Sequence, residues 1–211
     1  MFFVIAFAVL YFPILFLYPT KIIHKERFDK KKKYVVTSNH FSNADSLIYD
    51  IKFRTKFRFI SKKEMFKTKI SAWIMTHLGA ISVDRKNISP TSFKEIMSVL
   101  KNNKQLFVYP EGTRNKKEIE GMQDAKEGMI VFASRGDAEI LPMLFYKKPR
   151  IFRKNYIIVG NPIKIQGENP KKLTKEETEE NLKLYNEKME ELRKELVDIV
   201  ESKKRKKKNK K

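Results

Sequence analysis

Apolar and polar residues alternate along the chain in two rhythms. Short apolar runs typical of strands occur at Tyr34–Ser38, Phe57–Ser61, Ala80–Asp84, Gln105–Tyr109, Glu139–Phe145 and Tyr156–Val159. Between them the spacing turns helical, over Ala44–Phe53, Lys63–Leu78, Ser92–Lys101 and Lys126–Ser134. Within Lys63–Leu78, Phe66, Ile70, Trp73, Ile74 and Leu78 recur every three or four residues, as on one face of a helix. Strands alternating with helices predict an α/β fold: one domain with a central mixed sheet flanked by helices. A last, long helix opens at Thr174, which forms a capping box with Glu177. Its stripe of Leu182, Tyr185, Met189, Leu192, Leu196 and Ile199 is read as packing against the domain, with a coiled-coil contact as the alternative.

The two ends break this rhythm. Residues 2–18 carry no charge and are rich in Phe, Ile, Leu and Val. A helix there covers roughly 26 Å, a little short of a hydrocarbon core of about 30 Å, and Pro13 kinks or divides it. No basic residue precedes the run and no small-residue cleavage site follows, so a secretory signal is disfavoured. Lys21, Lys25, Arg27 and Lys30–Lys33 follow it, which places that flank on the cytoplasmic side of a membrane. Residues 1–20 are therefore expected to form a membrane-attachment segment, an apolar helix or helical hairpin that spans or lies in the interface. The alternative is a buried helix of the core. Residues 21–202 form the folded domain, and 203–211, eight of nine cationic, a disordered tail.

Composition narrows the function. The 211 residues carry a formal net charge of +21 and no Cys. The absence of Cys excludes disulfide frameworks, thiolate zinc sites and a cysteine nucleophile. Ten of the 46 cations are Arg and the rest Lys. Base readout and bidentate phosphate grips favour Arg, whereas attraction to an anionic lipid surface is served by Lys. A nucleic-acid or polyanion-binding module is the remote alternative; it has no use for the chemistry that follows.

His40 stands in Asn39-His40-Phe41-Ser42-Asn43-Ala44-Asp45, after a strand and before a helix. Residues five apart diverge on a continuous helix, so His40 and Asp45 meet only if His40 lies on the loop and Asp45 in the first helical turn, with Ser42 or Asn43 as N-cap. A carboxylate on one imidazole nitrogen fixes the tautomer and leaves the other as a base. The pair reads either as that base or as a helix-capping contact. No G-x-S-x-G elbow, Walker loop or G-x-G-x-x-G is present, and one His with one Asp makes no metal site. A base here would act on a hydroxyl brought by the substrate. Tyr109-Pro110-Glu111-Gly112-Thr113-Arg114 and Gly79-Ala80-Ile81-Ser82-Val83-Asp84-Arg85 each end a strand with a guanidinium, at the sheet edge where open α/β sheets bind ligands. Each Arg alone reads equally as a surface ion-pair residue.

Taken in order, NHFSNAD, GAISVDR, YPEGTR and ILPMLF resemble the motifs of the glycerolipid acyltransferase family, most closely its 1-acylglycerol-3-phosphate acyltransferase type. The likeness covers roughly residues 34–163 and includes Lys126-Glu127-Gly128 and Val159-Gly160-Asn161-Pro162-Ile163. It implies transfer of a fatty acyl group from a thioester, acyl-CoA or acyl carrier protein, to the free hydroxyl of lysophosphatidic acid, with no cofactor or metal. By that likeness His40 is the base, Asp45 its orienting carboxylate, and Arg85 a phosphate ligand. Glu111, Gly112, Thr113 and Arg114 shape the acceptor pocket, and Pro142 the acyl wall. Ser82 and Met143 depart from the bulkier apolar residue and the Val common there, which bears on chain preference. The same chemistry on glycerol 3-phosphate or another lysophospholipid is the nearest alternative. The expected setting is the cytoplasmic face of the cell membrane, held by the N-terminal run and by Lys clusters on anionic lipid. The Trp73 stripe is either a further membrane contact or ordinary core packing.

Overall fold

The computed structural model describes residues 12–84, 88–115 and 124–209. Seven strands form one sheet: β1 (Thr20–Ile23), β2 (Tyr34–Thr37), β3 (Arg58–Lys62), β4 (Ile81–Val83), β5 (Leu106–Val108), β6 (Glu139–Phe145) and β7 (Asn155–Val159). Their spatial order is β1-β7-β6-β2-β5-β3-β4. Every neighbouring pair is parallel except β6 with β7, joined as an antiparallel hairpin. The expected mixed α/β sheet is present. β2, β5 and β6 are buried on both faces apart from Glu139 at the start of β6. Their unbroken apolar runs suit parallel strands covered on both sides.

Among the described residues, five helices of nine residues or more flank the sheet: α1 (Ala44–Phe53), α2 (Lys69–His77), α3 (Pro90–Lys101), α4 (Gly128–Gly136) and α5 (Lys175–Lys208). Successive strand residues point to opposite faces, which divides the core in two. On one face Val35, Leu106, Ile140 and Ile158 meet Ile96 and Leu100 of α3, Ile130 of α4, and Tyr185, Leu192 and Leu196 of α5. On the other, Val36, Phe107, Leu141 and Ile157 meet Ile48, Tyr49 and Phe53 of α1. The α5 stripe therefore packs on the domain, as its spacing predicts. Its capping box is formed: Thr174 accepts from the Glu177 N–H, and the Glu177 side chain accepts from the Thr174 N–H.

Three features differ from these expectations, and a fourth expectation falls largely outside the described residues. The helix expected over Lys63–Leu78 is divided into a 3-10 turn at Lys63–Phe66 and α2, because Thr68 caps α2 through a reciprocal bond with Ser71. β1 was not recognised: it is a four-residue edge strand that buries only Ile23, too short to show a period. The cationic tail expected to be disordered from residue 203 is helical to Lys208. Extending a formed helix costs little, Lys and Arg are good helix formers, Glu201 pairs with Lys204 at 2.7 Å, and cations suit a helix C-terminus. Finally, most of the apolar run 2–18 lies outside the described residues. Residues 12–17 form a helical turn in which Ile14 is buried in the core, while Phe12 and Phe16 are 73% and 71% exposed. Among the described residues no helix is long and apolar enough to cross a membrane.

The connections fix where a ligand fits. From β2 the chain crosses through α1 to β3 on one side; from β5 it crosses through α4 to β6 on the other. The carboxyl ends of β2 and β5, which are neighbours, thus flank a point where the winding reverses, and the loops there part to leave a cleft.

Candidate active site

Residues 38–43, which leave β2 at this cleft, are held from below. Asn39 is fully buried; its side-chain amide donates to the Phe145 carbonyl and its oxygen accepts from the Phe145 N–H, both at 2.9 Å. Ser38 shares a 2.7 Å bond with the Tyr49 hydroxyl. His40 then enters the cleft on a backbone that cannot slide along the sheet.

Asp45 sits in the first turn of α1 and is fully buried. Asn43 occupies the N-cap position, but its side chain makes no cap bond; Asp45 reaches back instead. Its Oδ2 accepts from the Phe41 N–H at 2.7 Å, the Ser42 N–H at 2.8 Å and His40 Nδ1 at 3.0 Å, and its Oδ1 accepts from Ser42 Oγ at 2.7 Å. One carboxylate thus closes the turn and holds the imidazole, a geometry compatible with either reading of the pair. A negative charge in the first turn also complements the helix dipole. With Nδ1 on Asp45, Nε2 is the nitrogen left for a ligand.

The β5 side completes the walls. The Tyr109 ring lies flat on His40, centroids 3.9 Å apart and planes 16° from parallel, and its hydroxyl shares a 3.0 Å bond with Ser46. Burial, reinforced by the Asp45 charge, pushes the Tyr109 phenol well above its ordinary value, so the ring stays neutral. Residues 109–112 turn sharply: the Gly112 N–H donates to the Tyr109 carbonyl at 3.0 Å. Gly112 has φ +67°, and a Cβ there would lie 3.1 Å from the Lys126 ammonium. The turn is tied to the His40 loop by the Asn115 N–H, which donates to the His40 carbonyl at 2.6 Å.

A cavity of about 360 Å³ opens here, lined by His40, Ser46, Asp50, Phe59, Lys62, Met65, Met75, Leu78, Thr113 and Arg114 among others. Apolar side chains and two cations, Lys62 and Arg114, share its lining. Burial raises the Asp50 carboxyl well above its ordinary value, against a 3.0 Å bond from the Phe57 N–H. A second cavity, about 470 Å³, lies beyond Phe41 and is ringed by Lys147, Lys148, Arg150, Arg153, Lys154 and Lys204.

The predicted residues divide into three groups. His40, Asp45, Thr113 and Arg114 come together. Glu111, 4% exposed, is turned into the domain, where its charge acts on the buried Tyr185 of α5; Gly112 lines a small neighbouring cavity with Lys126 and Met129. Pro142 is buried within β6, its carbonyl accepting from the Gly160 N–H at 2.8 Å under Leu192. Neither Glu111 nor Pro142 lines the His40 cavity. Arg85 lies outside the described residues. Sequence reasoning missed Tyr109 as the His40 platform, Ser42 as an Asp45 donor, and Lys62 as the second cation. Ser42 was legible as part of the loop; the other two have no local signal, because β5 and β3 reach His40 only through the sheet.

An α/β sheet with a carboxylate-held imidazole at its winding reversal, beside a cavity lined by both apolar side chains and two cations, is laid out as an α/β enzyme site. The sequence model of the acyltransferase family matches residues 20–146, and the chain belongs to that family; it is an acyltransferase. It is 25% identical over 150 residues to the 1-acyl-sn-glycerol-3-phosphate acyltransferase of Bacillus subtilis, covering 68% of this chain and 73% of that protein. It is 33% identical over 114 residues to the chloroplastic enzyme of that name from Arabidopsis thaliana, covering 52% of this chain and 30% of that protein. The crystal structure of the 1-acyl-sn-glycerophosphate acyltransferase of Thermotoga maritima shares the fold, with TM-score 0.60 over 86% of this chain and 72% of that one at 21% identity.

Proposed function

We propose that the chain acylates the free hydroxyl of lysophosphatidic acid, taking the acyl group from a thioester, acyl-CoA or acyl carrier protein, to give phosphatidic acid. The observation that carries this is the 3.0 Å His40–Asp45 contact at the lip of a cavity that also holds Arg114 and Lys62. His40 Nε2 takes the hydroxyl proton as the oxygen attacks the thioester carbonyl. The C–O bond forms, the C–S bond breaks, and the departing thiolate takes the proton back from the imidazolium. Asp45 holds the tautomer and stabilises that imidazolium. No Cys exists to carry the acyl group, which favours direct transfer to the substrate hydroxyl. Arg114 and Lys62 meet the acceptor phosphate, with Arg85, two residues past β4 in the sequence, as a further phosphate ligand. Burial disfavours the charged form of Asp50, which lessens its repulsion of an anionic ligand in the cavity. Met65, Met75 and Leu78 take the start of an acyl chain. The cationic cavity beyond Phe41 meets the phosphates of the donor's carrier. The acceptor and product are bilayer lipids, so the protein works at the cytoplasmic face of the cell membrane, attached through its N-terminal apolar segment and its Lys clusters on anionic lipid.

The test is an acylation assay on vesicles with labelled donor and lysophosphatidate. His40→Ala abolishes product while the far-ultraviolet spectrum and vesicle binding persist; a variant that retains turnover refutes the mechanism. Competing glycerol 3-phosphate and other lysophospholipids in the same vessel reads acceptor choice directly.

A further inference from the structure

Helix α2 is at odds with its own sequence. It carries Ile70, Trp73, Ile74 and Met75 within nine residues, yet none of its residues is buried. Ile70 is 74% exposed, Trp73 51% and Ile74 38%, and Met65 in the preceding turn is 43% exposed. Amphipathic helices in a water-soluble fold turn such a stripe inward; here it faces out. Apolar side chains gathered on one exposed face mark an interaction surface.

Charge and position identify the partner. Lys62, Lys63, Lys67 and Lys69 are all exposed around this patch, against a single Glu64. Lys67 and Lys69 also sit at the N-terminal end of α2, where cations oppose the helix dipole and where no acidic residue compensates. A local rule broken without a gain in folding is expected where function needs the charge. β3 runs parallel to β5, and β5 to β2, so the chain leaves β3 at the same sheet edge as His40. On the far side of that edge the β6–β7 connection exposes Ile151 and Phe152, beside Phe16 of the N-terminal turn, whose ring lies 5.5 Å from that of Phe152. Both patches form apolar rims at the sheet edge that carries the His40 cavity. Met65 and Met75 line the cavity while Ile70, Trp73 and Ile74 lie on the outer side of the same element.

We propose that the turn and helix over residues 63–77 form a second membrane contact, independent of the N-terminal segment. It lays Ile70, Trp73 and Ile74 into the acyl layer and its lysines among anionic headgroups. The partner is an anionic lipid surface, a choice that rests on the lipid acceptor proposed above. In this arrangement the cavity opens toward the bilayer between two apolar rims, and the lysolipid chain passes from lipid to the Met65–Met75 wall without crossing water.

Trp73 is the sole Trp of the chain, so its emission reports this face alone. The full-length protein is mixed with vesicles of phosphatidylcholine containing phosphatidylglycerol, at fixed pH because the His77 ring lies 4.5 Å from that of Trp73. Emission shifts to the blue, and lipids brominated on the upper acyl chain quench it. Ile70→Glu with Ile74→Glu lowers vesicle partitioning by roughly tenfold or more. It leaves the melting temperature and the turnover of a monomeric short-chain lysophosphatidate unchanged. Protein that sediments with the vesicles while Trp73 stays unshifted and unquenched overturns the proposal. So does emission already blue without lipid in a species that sediments as a dimer, which assigns the patch to a second copy. Neither readout requires acyl transfer, so loss of the enzymatic reading and loss of this one are separate results.

Discussion

Asp45→Asn separates the chemistry of the site from its folding. Asp45 receives four hydrogen bonds, three at Oδ2 and one, from Ser42 Oγ, at Oδ1. An Asn with its oxygen in place of Oδ2 keeps the contacts to Phe41, Ser42 and His40. Its amide nitrogen then faces Ser42 Oγ, a hydroxyl that rotates to accept. The fold loses only the charge assistance of these bonds, about 1–2 kcal/mol. The transition state loses more. Nδ1 and Oδ2 are 3.0 Å apart, so an imidazolium and the carboxylate are separated by about 4 Å between charge centres. At an effective dielectric near 20 that attraction is about 4 kcal/mol, or about a thousandfold in rate. Asp45→Ala instead strands buried N–H donors, at about 1–3 kcal/mol each, and lowers stability as well as rate. The assay is initial-rate acyl transfer to lysophosphatidate in vesicles at saturating donor, alongside thermal melting of each variant. Asp45→Asn turning over within a few-fold of wild type refutes the assignment. So does a rate loss that tracks the loss of stability in both variants, which makes Asp45 a structural residue only.

Two stability predictions follow from buried groups. The Asp50 carboxyl is raised mainly by burial, so the native state holds its proton above the pH at which the unfolded chain releases it. Stability therefore falls as pH rises from about 4 through the raised native value. Asp50→Asn keeps the acceptor for the Phe57 N–H and removes that titration. Its melting temperature exceeds wild type at pH 7–8, by about 2–4 °C per kcal/mol recovered, and converges with it near pH 3. An equal gap at both pH values counts against the assignment. Gly160→Ala puts a methyl 2.8 Å from Pro142 Cγ and 2.9 Å from Leu192 Cδ2, forcing α5 off the sheet. The expected loss is about 1–3 kcal/mol, read by urea unfolding, and an unchanged midpoint shows that α5 yields freely.

The sequence by itself determined the elements whose burial is written in their own period. The runs at 34–38, 105–109 and 139–145 each hold an uninterrupted apolar stretch, at 34–36, 106–109 and 140–145, because these strands are covered on both faces. Ala44–Phe53 and the Thr174–Glu177 box mark helices through local spacing and capping. The His40–Asp45 pair was legible for the same reason, since five residues across a strand–helix junction leave one geometry in which both side chains meet. The tertiary structure decided everything that depends on which element lies opposite. The apolar stripe of α2 has the same spacing as the stripe of α5, yet one is exposed and the other buried. A helical period states that a face is apolar but not what covers it. Glu111 and Arg114 share one short motif, and the turn at Gly112 sends the first into the domain and leaves the second at the cavity. Tyr109 reaches His40, and Lys62 the cavity, only because β5 and β3 are placed beside β2 by crossovers whose contacts are distant in sequence. Long-range placement is a property of the assembled sheet, and no local pattern carries it.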